Sequence, residues 1–116
     1  MSPLRMLAGA ALCVAAFSTN AAGDAAAGKN KVFQCQGCHG IVDWKTAFPE
    51  VYRVPKLGGQ RADYIAAALK AYQRGERDFA TMRAMVANLS EQDIADIAAY
   101  YGQGAPAPAA PAVEKK

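Results

Sequence analysis

A chain of 116 residues with 13 basic side chains, 10 acidic ones and a single histidine is long enough for one domain and short for two. The basic residues are spread among acids with no basic run, which excludes a nucleic-acid partner. Three cysteines are too few for a disulfide framework, so cysteine serves another purpose here.

Arg5, the apolar stretch 6–17 and the small residues 18–22 have the form of an export signal, with cleavage after Ala21 or Ala22. The apolar stretch is about a dozen residues, short of the ~20 that a membrane-spanning helix needs, so no permanent membrane anchor is expected. Cys13 lies inside it as hydrophobic filler. The expected layout is a signal peptide at 1–22, one domain at 23–102 and a flexible Ala/Pro-rich tail at 103–116.

The first helix is predicted over 24–37, with Asp24 as its N-cap and Gly28, Val32 and Cys35 on one face. It leads into Cys35-Gln36-Gly37-Cys38-His39, the attachment signature of a c-type haem. On a helix the two thiols share a face and can add to the two vinyl groups of one porphyrin, while His39 sits under the iron as its proximal ligand. Two other uses of C-x-x-C compete with this reading. A structural zinc ion wants four Cys or His ligands, and beyond these three only Cys13 remains. A thioredoxin-like site needs a βαβ framework, whereas the flanking sequence is Ala-rich and helical. One covalent haem c is therefore expected, and its apolar body helps a domain of about 80 residues to form a core.

Gly40 is expected to close the first helix in a left-handed conformation. Residues 41–59 show neither helical nor strand period and carry Pro49, Pro55, Gly58 and Gly59, which predicts a long loop wrapped over the haem edge. It carries Trp44, Phe48 and Tyr52 and is a candidate region for setting partner choice; Trp44 and Tyr52 read either as donors to the haem propionates or as hydrophobic cover with polar tips in water. A second helix is predicted over 60–74, with Tyr64, Ala68 and Tyr72 on one face, Ile65 and Leu69 beside it, and Gly75 as its stop. Residues 77–82 look irregular, and 82–87 suit a short helical turn. Ser90 and Asp93 approach a capping box that opens the last helix, whose Ile94, Ile97, Ala98 and Tyr101 face inward while Glu91, Asp93 and Asp96 face away or favour its N-terminus.

With no second histidine, the sixth iron ligand falls to a methionine thioether, although core packing is the commoner role of this residue. Met82 and Met85 compete. Met82 follows an irregular stretch that can present its sulfur, whereas Met85 belongs further inside a helix. Arg77, shortly before Met82, is the candidate partner for a haem propionate, with a solvated surface arginine as the alternative.

The chain resembles the class I cytochromes c, and among them the small bacterial domains of cytochrome c4 and of flavocytochrome c subunits, over residues 23–102. The resemblance is carried by Gly28, Cys35-x-x-Cys38-His39-Gly40, Pro55-Lys56-Leu57-Gly58-Gly59-Gln60, Gly75-x-Arg77, Met82 and Asn88-Leu89-Ser90-x-x-Asp93-Ile94-Ala95-Asp96 leading to Tyr100. It implies an all-α fold of about three main helices with short helical turns and long loops around one haem. It selects Met82, seven residues before Leu89, as the distal ligand. It also implies that the Pro55 carbonyl bonds the far ring nitrogen of His39, and that Gly28 lets Tyr100 approach as the terminal helices cross. The loop between His39 and Pro55 is longer than the short members of the family carry.

The function implied is a periplasmic electron carrier whose haem iron cycles between ferrous and ferric, with no catalytic residue. Two alternatives stand beside it: a cytochrome subunit of a larger dehydrogenase, and a haem enzyme or ligand-binding protein in which Met82 is labile. Transient redox partners are expected, with a dehydrogenase as donor and a terminal oxidase or another cytochrome as acceptor. Without Arg5 the excess of bases over acids shrinks to two, which two propionates would offset.

Overall fold

The computed structural model describes residues 22–48 and 50–103. The export signal with Cys13, apart from Ala22, and the tail, apart from Gln103, lie outside the described residues.

Helix α1 spans Ala25–Lys31 and begins at Asp24, whose carboxylate accepts hydrogen bonds from the amides of Ala26 at 2.8 Å and Ala27 at 3.3 Å. The helix predicted to run on to Gly37 is instead broken at Val32, where ψ opens to 6°, and α2 resumes over Phe33–His39. The break is a bend, because Val32 N–H still reaches Gly28 O at 3.1 Å and Gln36 N–H reaches Val32 O at 3.0 Å. Val32 is fully buried, and a β-branched residue packed from all sides gives up helical torsions readily. Gly40 closes α2 with right-handed torsions rather than the expected left-handed ones. What requires glycine there is proximity: a Cβ would lie 2.4 Å from Gln36 O.

The stretch 41–59 is not featureless, as its sequence suggested. Strands β1 (Lys45–Thr46) and β2 (Tyr52–Arg53) pair antiparallel, with Lys45 opposite Arg53 and Thr46 opposite Tyr52. Val54 N–H extends the pairing to Trp44 O at 2.9 Å. Two-residue strands are too short to show a period, which is why pattern reading passes over them.

Helix α3 (Ala62–Gln73) buries Ile65 and Leu69, while Tyr64, expected on the inner face, is 52% exposed. Its end is a Schellman motif: Gly75 takes φ 74°, Gly75 N–H bonds Tyr72 O and Glu76 N–H bonds Ala71 O. Helix α4 (Ala80–Val86) starts two residues before the turn predicted at 82, because Phe79 with φ −149° already supplies the extended N-cap. Its far end is held by the Gln73 side-chain amide, which donates to Val86 O and Leu89 O, both at 2.8 Å.

Helix α5 (Glu91–Gly102) opens on the expected capping box between Ser90 and Asp93 and buries Ile94, Ile97, Ala98 and Tyr101. With Val32, Ile65, Leu69 and Val86 these residues form the core. The all-α class therefore holds, with two helices of 12 residues, three of 7 and one small ribbon among the described residues.

Asp96 does not face away as expected. It is 2% exposed and accepts hydrogen bonds from Asp24 N–H at 2.8 Å, Lys31 Nζ at 2.6 Å and Gln92 Nε2 at 2.8 Å, while Lys31 also pairs with Asp93 at 2.8 Å. Helical spacing alone reads a carboxylate as outward; here α1 arrives with a cation and a free amide that satisfy it. The Asp24 amide, then Lys31 and Gln92, lower the Asp96 pKa to about 2, and Lys31, followed by Ser90, holds Asp93 lower still. A carboxyl group depressed in the folded state stabilises the fold above its ordinary pKa of 3.8 and loses that contribution as pH falls towards about 2. Thermal melts of the holoprotein should therefore drop across that acid window. Asp96→Asn should melt several degrees lower at neutral pH and show a shallower acid limb, and a variant with an unchanged limb would refute the assignment.

Candidate functional site

Helix α2 carries the two thiols and the imidazole. Cys35 and Cys38 are free, half-buried and three residues apart, which puts them on one side of the helix. Cys35 packs against the hydrophobic core, and burial pushes its thiol pKa up. His39 is the last residue of α2, and its Nδ1 lies 2.8 Å from Pro55 O. A carbonyl can only accept, so Nδ1 carries the proton and Nε2 keeps a free lone pair. Burial pushes the His39 pKa down, against a smaller upward pull from the Pro55 bond, and this favours the neutral ring a metal needs.

The Pro55 segment is itself fastened. Val54 N–H bonds Trp44 O before it, Gln60 N–H bonds Leu57 O at 3.0 Å after it, and Gly59 N–H reaches Tyr101 O at 3.1 Å on α5. The carbonyl that orients His39 thus sits on a frame joined to the core.

Both methionines lie in α4, so the loop presentation expected for Met82 is corrected. Orientation separates them: Met82 is partly buried against the core cluster, whereas Met85 is 39% exposed. Arg77 is not simply solvated. Its guanidinium lies 4.7 Å over the Tyr72 ring, and its Nη1 donates to Tyr64 Oη at 3.5 Å. Stacking uses the face of the guanidinium and leaves donors at its edge.

These residues fit a covalently held porphyrin. Two free thiols and one imidazole of fixed tautomer would supply its attachment and a ligand, and among the described residues no group of three or more His, Cys, Asp or Glu side chains converges as a metal site of another kind. Among the described residues eight hydrophobic side chains are buried, a small core that a porphyrin's apolar body would enlarge. The Tyr101 hydroxyl is buried without a hydrogen-bond partner, and burial, with Cys35 nearby, pushes its pKa up.

The sequence profile of the family described as cytochrome c matches residues 25–104. The chain belongs to the cytochrome c family. It is 48% identical over 83 residues to cytochrome c-554(548) of Halomonas halodenitrificans, an alignment that covers 69% of this chain and 95% of that protein. It is 43% identical over 82 residues to cytochrome c4 of Pseudomonas aeruginosa, covering 71% of this chain and 39% of that one, and 38% identical over 91 residues to cytochrome c4 of Azotobacter vinelandii, covering 71% and 41%. This cytochrome thus spans nearly the whole of the first relative and about two-fifths of these two cytochromes c4. As a member of the family it carries haem c covalently and serves electron transport, and its helical architecture is that of class I. Among its described residues no helix is long and apolar enough to cross a membrane. What the sequence did not single out is the Lys31–Asp96 tie and the contact between the Tyr52 and Phe79 rings at 5.0 Å, since both join segments far apart in the chain.

Proposed function

We propose that this cytochrome is an exported, periplasmic one-electron carrier with a single haem c bound through Cys35 and Cys38, His39 as proximal ligand and Met82 as distal ligand. The observation that carries the reading is the 2.8 Å contact from His39 Nδ1 to Pro55 O, which leaves Nε2 as the one free nitrogen donor of the chain's only imidazole. Bound haem supplies the ferrous/ferric couple. The chain's residues do the rest. Pro55 fixes the ring plane of His39 and raises its basicity. Met82, drawn towards the core by α4, offers a neutral sulfur that favours the ferrous state and raises the potential. Arg77, stacked on Tyr72, keeps donors at its edge that would serve a propionate. Nothing in this set moves a proton or holds a substrate, so no catalytic residue is assigned.

Absorption spectra of the purified mature protein test the reading. A thioether-linked haem in the pyridine complex, a ferric sulfur-to-iron charge-transfer band and little binding of carbon monoxide in the ferrous state are expected. Free binding of carbon monoxide would transfer the protein to the enzymatic or ligand-binding class, and absence of haem after expression with attachment machinery would end the proposal.

A further inference from the structure

Between His39 and Pro55 the chain builds a ribbon that buries little of its own apolar surface. Phe48 is 86% exposed and Val51 76%, both beyond the Thr46–Tyr52 pair that ends the ladder. Single exposed apolar residues are ordinary, but these two share one loop whose ends are held in place. The Thr46 hydroxyl lies 3.1 Å from Glu50 O and 3.3 Å from Tyr52 O, and Asp43, at φ 58°, holds Arg53 at 2.7 Å.

The charge is also placed. Side chains alternate across a strand, so Lys45 and Arg53, directly opposite each other, share one face and Thr46 and Tyr52 the other. Tyr52 packs on Phe79, which directs the cationic face away from α4. Like charges directly opposite weaken a ribbon. Asp43 offsets one of them, and Lys45 forms no ion pair among the described residues. An external carboxylate beside Lys45 would relieve the repulsion.

Position adds the third observation. The ribbon runs directly into Pro55, whose carbonyl holds His39, and through Phe79 it touches the residue that caps the helix bearing Met82. A partner seated on it would be next to both segments assigned to the iron.

We propose that this ribbon is the docking surface for the redox partner, a protein face with an apolar centre that receives Phe48 and Val51 and a carboxylate at its rim facing Lys45. The proposal rests on the electron-carrier reading given above. A two-fold pairing of this chain through the ribbon would set like cationic faces against each other. An anionic lipid surface would also press headgroups against Glu50, where a protein can place a single carboxylate.

A gold electrode coated with a mixed methyl- and carboxylate-terminated monolayer serves as the probe, read by voltammetry of the intact holoprotein. Lys45→Glu and the double variant Phe48→Ser/Val51→Ser should each exchange electrons with it at least ~10-fold more slowly than the native protein. Lys29→Glu, the same charge change on α1, should behave as native, and all variants should keep the native spectrum and solution potential. Ribbon variants that exchange at the native rate would overturn the proposal. So would a native dimer in sedimentation that the double variant abolishes, or flotation of the native protein with phosphatidylglycerol vesicles that the double variant loses, because either names a different occupant. Failure of the carrier reading itself shows separately, as absence of haem or free carbon monoxide binding before any docking is measured.

Discussion

Met82→Ala is expected to change the protein from one that resists carbon monoxide to one that binds it readily, with loss of the ferric sulfur-to-iron band and a fall in reduction potential. The fall should be on the order of 0.1 V or more, within the roughly 0.8 V over which axial ligands set haem potentials. The argument is positional. Met82 shares its side of α4 with Val86, four residues on, and both pack against the core, whereas Met85 is turned towards solvent. Met85→Ala should therefore keep the native spectrum and potential. The opposite pair of results, native behaviour in Met82→Ala and ligand access in Met85→Ala, would assign the sulfur to the other residue.

Gly28→Ala should produce a large loss of stability from a single methyl group. A Cβ at this position would lie 2.1 Å from Asp96 O and 2.8 Å from Tyr100 Cβ, so the obstacle is helix backbone and not a side chain that can rotate away. Relief requires lifting α1 off α5. Overpacked cores lose about 1–3 kcal/mol where side chains can adjust, and a backbone clash should stand at or above the upper end, with about 1 kcal/mol returned by the better helix propensity of alanine. At ~4–8 °C per kcal/mol for a domain of this size, a fall in Tm of roughly 10 °C or more is expected in thermal melts of the holoprotein. The thioethers should keep the haem attached throughout. A variant that melts with the native protein would show that the terminal helices are not in the contact described.

The parts of this protein that the sequence reveals are the parts whose chemistry is local. Cys35, Cys38 and His39 lie within one helical turn and carry their meaning in their spacing. The capping box of α5 and the Gly75 stop of α3 are equally local, and the structure has both. Pairings across the chain were harder to read. Asp96 reads as a surface carboxylate until α1 is laid across it, since Lys31 and the Asp24 amide come from 65 and 72 residues away. The Pro55 contact to His39 was anticipated only through family resemblance, because no periodicity links residues 16 apart through an irregular segment. The kink at Val32 and the two-residue strands were missed for a different reason. The kink is set by the packing of Val32 in the core and the ribbon by backbone pairing across a turn, and each is shorter than the window in which a pattern can be counted.

The Gln73 side chain fastens α4 with a neutral amide and two carbonyls, while the terminal helices are joined through carboxylates and an ammonium group. The two joints therefore answer to different solvents. Added salt screens the Lys31–Asp93 pair, and acid discharges the carboxylates, but neither alters an amide that carries no charge. As salt or acid rises, the α1–α5 seam becomes the part that loosens first. The helix bearing Met82 keeps its hold on α3, so the sulfur proposed as the iron's distal ligand is insulated from the same fluctuation.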